Sequence, residues 1–197
     1  MSRWPKRRGK KRTKRRTPRK LPTIPDFGDL DKILRATKHE RDRLMLMLAR
    51  FMGLRVSEIV KLEAAHLDFT GRFLAVRQGK GNKDRILPLP KFLVGPLRGW
   101  LGPRRDGFVF PSPRGGRLTT RAVQYLIKRL ARAAGLVDAD KPRMLTPHKF
   151  RHFFASDKCE KGVDLRALQD LLGHASLATT QTYLHVRPER LRECMEM

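Results

Sequence analysis

The stretch from Thr146 to His152 carries residue types that can bind and activate a phosphate group. A threonine followed by Pro147 is typical of a helix start, and this helix is predicted to extend to about residue 160. His148 and Arg151 are three residues apart, so their side chains project from one face of the helix. Both can donate hydrogen bonds to one phosphate at a helix N-terminus, where the backbone dipole also favours an anion. The alternative is a helix whose polar side chains only face solvent.

A zinc site built on His148 and His152 does not fit the chemistry of this stretch. The metalloprotease motif with two histidines at this spacing needs a glutamate where Lys149 stands, and no third ligand is near in sequence. We therefore assign His152 to packing or to a hydrogen bond within the helix, and we expect neither a metal nor another cofactor.

Tyr183 is a candidate nucleophile in the C-terminal part of the chain. Gly173 is predicted to end one helix and Ser176 to begin the next, which places His174 in a tight corner. Tyr183 follows about two helical turns after Ser176. A single tyrosine on a helix is usually a packing residue. With an ordinary pKa of about 10, its phenol needs neighbouring cations to become a competent attacking group.

Arg55 completes the set of residues that suggest phosphodiester chemistry. It follows Gly53 at a predicted corner between helices, where an arginine could equally serve as a structural ion-pair residue. Cleavage of a phosphodiester gathers negative charge on two non-bridging oxygens, and guanidinium groups are well suited to stabilise that charge without a metal. The reaction also needs a nucleophile and an acid that protonates the departing oxygen.

The charge of the chain indicates a polyanionic partner. The 197 residues have a formal net charge of +26, and residues 1–20 contain twelve Lys or Arg and no acid. Each phosphate that a protein neutralises releases condensed counterions, so this excess favours nucleic acid. A membrane surface is the competing partner, but no amphipathic stretch joins the basic run to a broad apolar face.

Residues 1–25 are predicted to form a disordered basic arm, because they contain four prolines and almost nothing to bury. The arm is either a solvated tail or a segment that lies along DNA. Its predicted DNA contacts are Arg7, Arg8, Lys10, Lys11, Arg12, Lys14, Arg15 and Arg16. The sequence shows no membrane-spanning run, secretory signal, P-loop or disulfide framework, so we expect a reducing cytoplasm.

Periodicity and turn residues predict a mainly helical α+β domain with a small antiparallel sheet. Two strands, 72–77 and 84–89, are predicted to form a hairpin around a glycine-rich turn, and 108–110 a short third strand. The predicted helices are 29–37, 40–52, a turn from Ser57, 119–134, 146–160, 164–173, one from Ser176 that carries Tyr183, and one from Pro188.

The chain contains five motifs in the following order: Gly53-Leu54-Arg55-Val56-Ser57-Glu58, Gly79-Lys80-Gly81-Asn82-Lys83-Asp84-Arg85, His148-x-x-Arg151, Leu171-Leu172-Gly173-His174 and Tyr183. Thr179-Thr180 precedes the tyrosine and His185-Val186 follows it. From about residue 20 to its C-terminus the chain resembles the catalytic domain of tyrosine recombinases, in particular the Xer and phage-integrase branch. Each motif alone is of limited specificity, whereas five in this order are very specific.

The resemblance implies a role for each matching residue. Arg55 and Arg151 would clamp the scissile phosphate, and His174 would bind it as well. Lys80 would protonate the leaving 5′ oxygen, and His148 would assist proton transfer. Tyr183 would become joined to the 3′ phosphate, so that strands rejoin without ATP or metal.

The resemblance also implies supporting residues and a division of the chain. Glu58 matches the structural acid of the family, and Lys83 is the alternative general acid. Lys83, Arg85 and Lys149 are further predicted DNA contacts. The predicted division is an arm over 1–25 and a catalytic domain over 26–197, without the separate DNA-binding domain that usually precedes it.

The expected function is site-specific recombination or integration of double-stranded DNA, for a mobile element or as a Xer-like resolvase. The expected assembly is a homo-tetramer on DNA in the cytoplasm, and a monomer is the alternative for the protein without DNA. Two alternatives stay open. One is DNA relaxation by the same phosphotyrosine chemistry, and the other is a non-catalytic nucleic-acid-binding protein.

Overall fold

The computed structural model describes residues 27–77, 84–136 and 145–173. Its helices are α1 (Phe27–Ala36), α2 (Glu40–Met52), α3 (Val56–Ile59), α4 (Lys91–Leu101), α5 (Thr120–Ala133), α6 (Pro147–Glu160) and α7 (Leu165–Leu172). Its strands are β1 (Leu67–Asp68), β2 (Phe73–Val76) and β3 (Arg85–Pro88), and a 3₁₀ turn covers Ala64–His66. The predicted fold class, mainly helical with a small antiparallel sheet, is confirmed. No helix in these ranges is long and apolar enough to cross a membrane.

The three strands form an antiparallel sheet in the order β1-β2-β3. Side chains alternate between its faces, because successive residues of a strand point in opposite directions. Leu74 pairs with Leu87 on the buried face, whereas Ile86 stays 70% exposed on the other face. The two predicted strands of the hairpin are therefore confirmed as β2 and β3.

The prediction of a third strand at 108–110 is wrong, since the third strand is β1. Phe108 forms only an isolated bridge with Glu63. Val109 and Phe110 are fully buried, and the Val109 backbone N–H donates to the carbonyl of Leu62 at 2.8 Å. The apolar run thus reflects packing in the core rather than pairing within a sheet.

Helix α4 was missed in the sequence because it contains two glycines and Pro96. These residues have the lowest helix propensities. Leu93, Leu97 and Leu101 nevertheless recur every four residues and are buried, so one stripe of the helix packs into the core. Burial of that stripe outweighs the local propensity.

Helix α2 is central to the core and packs against α4 and α6. It ends at Gly53, which has a left-handed conformation with φ of 63°. A Cβ atom at this position would lie 2.5 Å from Cδ1 of Phe154 on α6. Glycine is thus required both by the backbone and by the close approach of α6, and the corner that follows leads directly to Arg55.

Helices α6 and α7 begin and end as the sequence predicts. Pro147 is the first residue of α6, and the Asp164 side chain accepts hydrogen bonds from the backbone of Arg166 and Ala167 at the start of α7. Gly173 ends α7 with φ of 60°. The helices predicted from Ser176 and from Pro188, the hairpin turn and the arm lie outside the described residues.

Candidate active site

Glu58 is the centre of a buried cluster of charged groups. Its side chain is 4% exposed, and four hydrogen bonds reach its carboxylate. Two come from Arg55, one from the backbone N–H and one from Nη1, both at 2.8 Å. The other two come from Nη1 and Nη2 of Arg85, each at 3.0 Å. Two arginines from distant parts of the chain are thereby fixed to one acid.

Arg55 also contacts the C-terminal end of α7. Its Nη2 donates to the carbonyl of Gly173 at 3.3 Å. The residue is the N-cap of α3, so the turn of the chain after Gly53 sets the position of its backbone. The sequence suggested either an ion pair or a phosphate ligand for Arg55. The structure contains the ion pair and orients the guanidinium towards the end of α7.

Arg151 is buried and also contacts the end of α7. Its Nη1 donates to the carbonyl of Gly53 at 2.7 Å, and its Nη2 donates to the carbonyl of Leu172. The carbonyls that accept from Arg55 and Arg151 belong to consecutive residues, Gly173 and Leu172. The guanidinium groups predicted to clamp a phosphate therefore converge on one turn of the chain.

Arg85 belongs to this cluster, although it was predicted from the sequence only as a DNA contact. All three nitrogens of its guanidinium group donate, since Nε also bonds to the carbonyl of Leu171 at 3.1 Å. Its side chain is 11% exposed. The alternation of β3 could have revealed this position, because Arg85 shares the inward face with Leu87. Contact of Arg85 with DNA stays a prediction.

The electrostatic balance of the cluster favours an anion. Burial by itself raises the pKa of Glu58, but the hydrogen bonds and charge of Arg85, together with the hydrogen bonds from Arg55, hold that pKa below its usual value. The carboxylate is therefore ionised at neutral pH. Three guanidinium groups and one carboxylate leave two net positive charges, in a setting where water screens them weakly.

The first turns of α6 add further polar groups beside this cluster. His148 is exposed and Lys149 half-buried, one turn or less before the buried Arg151. Partial desolvation lowers the pKa of His152, and the positive charges of His148, Arg151 and Lys149 lower it further. The neutral imidazole of His152 is thus favoured at a helix start that already attracts anions.

Comparisons with known proteins identify the family of the chain. Residues 26–190 match the model of the phage integrase family. The chain belongs to this family. It is 43% identical over 162 residues to the tyrosine recombinase XerA of Thermococcus kodakarensis, covering 80% of this chain and 55% of the relative. It is 39% identical over 175 residues to XerC of Actinobacillus pleuropneumoniae, covering 84% and 55%.

Solved structures with the same fold include a XerA recombinase, with a TM-score of 0.75 and 31% identity over 91% of this chain and 66% of that one. Another is a XerH recombinase bound to its difH substrate before cleavage, with a TM-score of 0.71 and 29% identity over 92% and 56%. This phage integrase family chain spans little more than half the length of the curated relatives it matches.

Several predicted site residues of this integrase family member lie outside the described residues, and their roles stay predictions. They are Lys80, Lys83, His174, Tyr183 and the eight cations of the arm. The described residues border the positions of His174 and Lys80. Gly173 immediately precedes His174, and Arg77 and Asp84, which flank the turn, form an ion pair of 2.7 Å.

The sequence analysis missed a basic surface on α5. Its residues are Arg121, Lys128 and Arg132, which are all exposed and which the helical period places on one face. The buried side of the same helix is apolar, with Val123 and Ile127 in the core. The amphipathic pattern of this predicted helix was the signal that could have revealed the surface.

Proposed function

We propose that this chain contains the catalytic domain of a site-specific DNA recombinase that cuts and rejoins strands through a 3′-phosphotyrosine. The observation that carries the proposal is the convergence of Arg55 and Arg151 on the carbonyls of Leu172 and Gly173, directly before His174. Fixed guanidinium groups in a weakly screened site stabilise the charge that develops on a phosphate during attack.

The reaction assigned to the site balances without a further reactant. The phenol of Tyr183 gives its proton to His148, and its oxygen forms a bond to the scissile phosphorus while the bond from phosphorus to the 5′ oxygen breaks. Lys80 gives a proton to that leaving oxygen, and Arg55, Arg151 and His174 hold the non-bridging oxygens. Attack by a 5′ hydroxyl of another strand reverses these changes and releases the tyrosine.

The proposed partner is double-stranded DNA, and the proposed assembly is a homo-tetramer on that DNA. The net charge of +26 and the exposed cations of α5 support the partner. Light scattering of the protein with a duplex that carries its cleavage site tests the assembly. Four copies on two duplexes are expected, and a complex that stays monomeric on every duplex contradicts the tetramer.

A covalent trapping experiment tests the function. The protein is mixed at low salt with a pool of duplexes of randomised sequence, each nicked so that cleavage releases a short fragment that diffuses away. An adduct that survives denaturation is expected, and sequencing its DNA identifies the cleavage site. Absence of any adduct across the pool favours the non-catalytic binding protein.

The chain has two tyrosines, which provide a matched control. Tyr183→Phe is expected to abolish the adduct, whereas Tyr125→Phe is expected to retain it, because Tyr125 is 66% exposed on α5. An adduct that persists in Tyr183→Phe contradicts the assigned nucleophile. A supercoiled plasmid with two cleavage sites then separates the related activities, since recombination exchanges segments and relaxation only removes supercoils.

A further inference from the structure

Arg85 ties its strand to two other parts of the chain through hydrogen bonds. It is the first residue of β3, yet its guanidinium group bonds to two other parts of the chain. Both terminal nitrogens meet the carboxylate of Glu58 side by side, and Nε meets the carbonyl of Leu171. A two-point contact of this kind fixes the plane of the guanidinium as well as its distance from the acid.

The contacts of Arg85 and Arg55 form one hydrogen-bond network around Glu58. Glu58 accepts from both arginines, and the arginines reach carbonyls two residues apart at the end of α7, those of Leu171 and Gly173. The strand β3, the corner at residues 55–58 and the last turn of α7 are therefore held together by one carboxylate and two guanidinium groups. A Cβ atom at Gly173 would lie 3.0 Å from Nη1 of Arg85, so the fit at this point is close.

We propose that Arg85 is a positioning residue of the cleavage reaction, which holds Arg55 in place through Glu58 and the last turn of α7 through the carbonyl of Leu171. The inference rests on the proposed function, since Arg55 is the group assigned to the phosphate. Without Arg85, Glu58 keeps Arg55 as its partner but loses its tie to β3, and the carbonyl of Leu171 loses its donor. Arg55 and the turn that precedes His174 would then shift relative to the phosphate.

The effect of such a shift falls on the chemical step. Misplacement of a catalytic group by about 1 Å can slow a reaction by about 100-fold. Binding of duplex DNA depends mainly on the exposed cations, and these do not take part in this hydrogen-bond network. Arg85→Gln is therefore expected to slow adduct formation at saturating DNA by about 100-fold, with a dissociation constant within about twofold of wild type.

Two further variants make this test specific. Arg85→Lys keeps the charge but cannot contact both oxygens and a carbonyl in one plane, so an intermediate loss of about tenfold is expected. Arg77→Gln is the matched control, because Arg77 lies at the end of the neighbouring strand and its ion pair with Asp84 is largely exposed. It is expected to leave the rate unchanged. If Arg85→Gln does not fold, Arg85→Lys carries the same comparison.

A double variant separates positioning from direct contact. If Arg85 acts on Arg55 through Glu58, the loss of rate in the variant with both Glu58→Gln and Arg85→Gln is smaller than the product of the two single losses. Losses that multiply overturn the proposal. So does a weaker affinity whose salt slope falls by about 0.9, because this is the signature of one lost phosphate contact.

A measurement without DNA keeps the inference separate from the proposed function. Amide hydrogen exchange in residues 171–173 is expected to be faster in Arg85→Gln or Arg85→Lys than in wild type, and unchanged in Arg77→Gln. Equal exchange in all variants overturns the positioning role. If wild type forms no adduct with any duplex, the proposed function fails, while the exchange rates still decide whether Arg85 holds the end of α7.

Discussion

The arginines of the buried cluster and the basic residues of α5 carry the same charge in opposite surroundings. Arg55, Arg85 and Arg151 donate to a buried carboxylate and to backbone carbonyls, and their side chains have little exposure. Lys128 and Arg132 of α5 are exposed to solvent. A fixed guanidinium needs no reorganisation when charge develops beside it, whereas a solvated one must be ordered first. The first arrangement suits the stabilisation of a transition state, and the second suits the attraction of a long polyanion.

The largest effect that tests this comparison is expected from Arg151→Lys. A lysine keeps the charge but cannot bridge the carbonyls of Gly53 and Leu172. We expect adduct formation at saturating DNA to fall by about 100- to 1000-fold. The measurement is the rate of adduct formation, with circular dichroism to verify folding. A folded variant with the wild-type rate would show that charge alone suffices in the cluster.

Glu58→Gln tests whether the carboxylate holds the cluster together. Removal of one partner from a buried ion pair leaves the other charges uncompensated, so we expect the free energy of unfolding to fall by about 3 kcal/mol at neutral pH. The measurement is denaturant unfolding of the variant and of wild type.

The pH dependence of that difference follows from the lowered pKa of Glu58 in the folded chain. A carboxyl with a depressed folded pKa stabilises the fold fully above its unfolded pKa of about 4.3, and this contribution is lost as the pH falls through the folded pKa. The stability of wild type should therefore approach that of Glu58→Gln below pH of about 4. A difference that stays constant as the pH falls well below about 4 would contradict an ionised Glu58 in the cluster.

Gly53→Ala tests whether the backbone that supports the cluster is rigid. The positive φ and the contact with Phe154 both oppose a side chain at this position, and we expect a loss of about 2 kcal/mol in unfolding free energy. Gly99→Ala in α4 is the matched control. A Cβ atom there meets nothing within 4 Å, so a gain of about 1 kcal/mol is expected. Equal losses of unfolding free energy in both variants would contradict a specific requirement for glycine at residue 53.

The smallest effect is expected at the exposed residues, from the double variant Lys128→Gln and Arg132→Gln. If both residues contact phosphates, the slope of log affinity against log salt becomes shallower by about 1.8. The rate of adduct formation at saturating DNA should stay at the wild-type value. Fluorescence anisotropy at several salt concentrations measures the slope. A slower chemical step in this variant would remove the distinction between the two sets of cations.

Much of the scaffold around the site could be predicted because its signals are local. Gly53 and Gly173 end their helices in the left-handed conformation, and Asp164 caps α7 through backbone contacts within the next three residues. Such turns depend on the residue itself and its immediate neighbours. The helix α4 and the bridge at Phe108 were not predicted correctly, because long-range burial decided them against the local pattern.

The sequence alone determined which chemical groups the chain has and the order in which they occur: an arginine, an acid and a histidine-arginine pair at spacings that suit phosphate chemistry. Only the tertiary structure decided which cations share an anion. Arg85 was predicted only as a DNA contact. It is part of the cluster because Glu58, 27 residues earlier, and the end of α7, 86 residues later, meet at its guanidinium group. Contacts between such distant residues depend on how the core packs the helices against the sheet, and no local pattern encodes that packing.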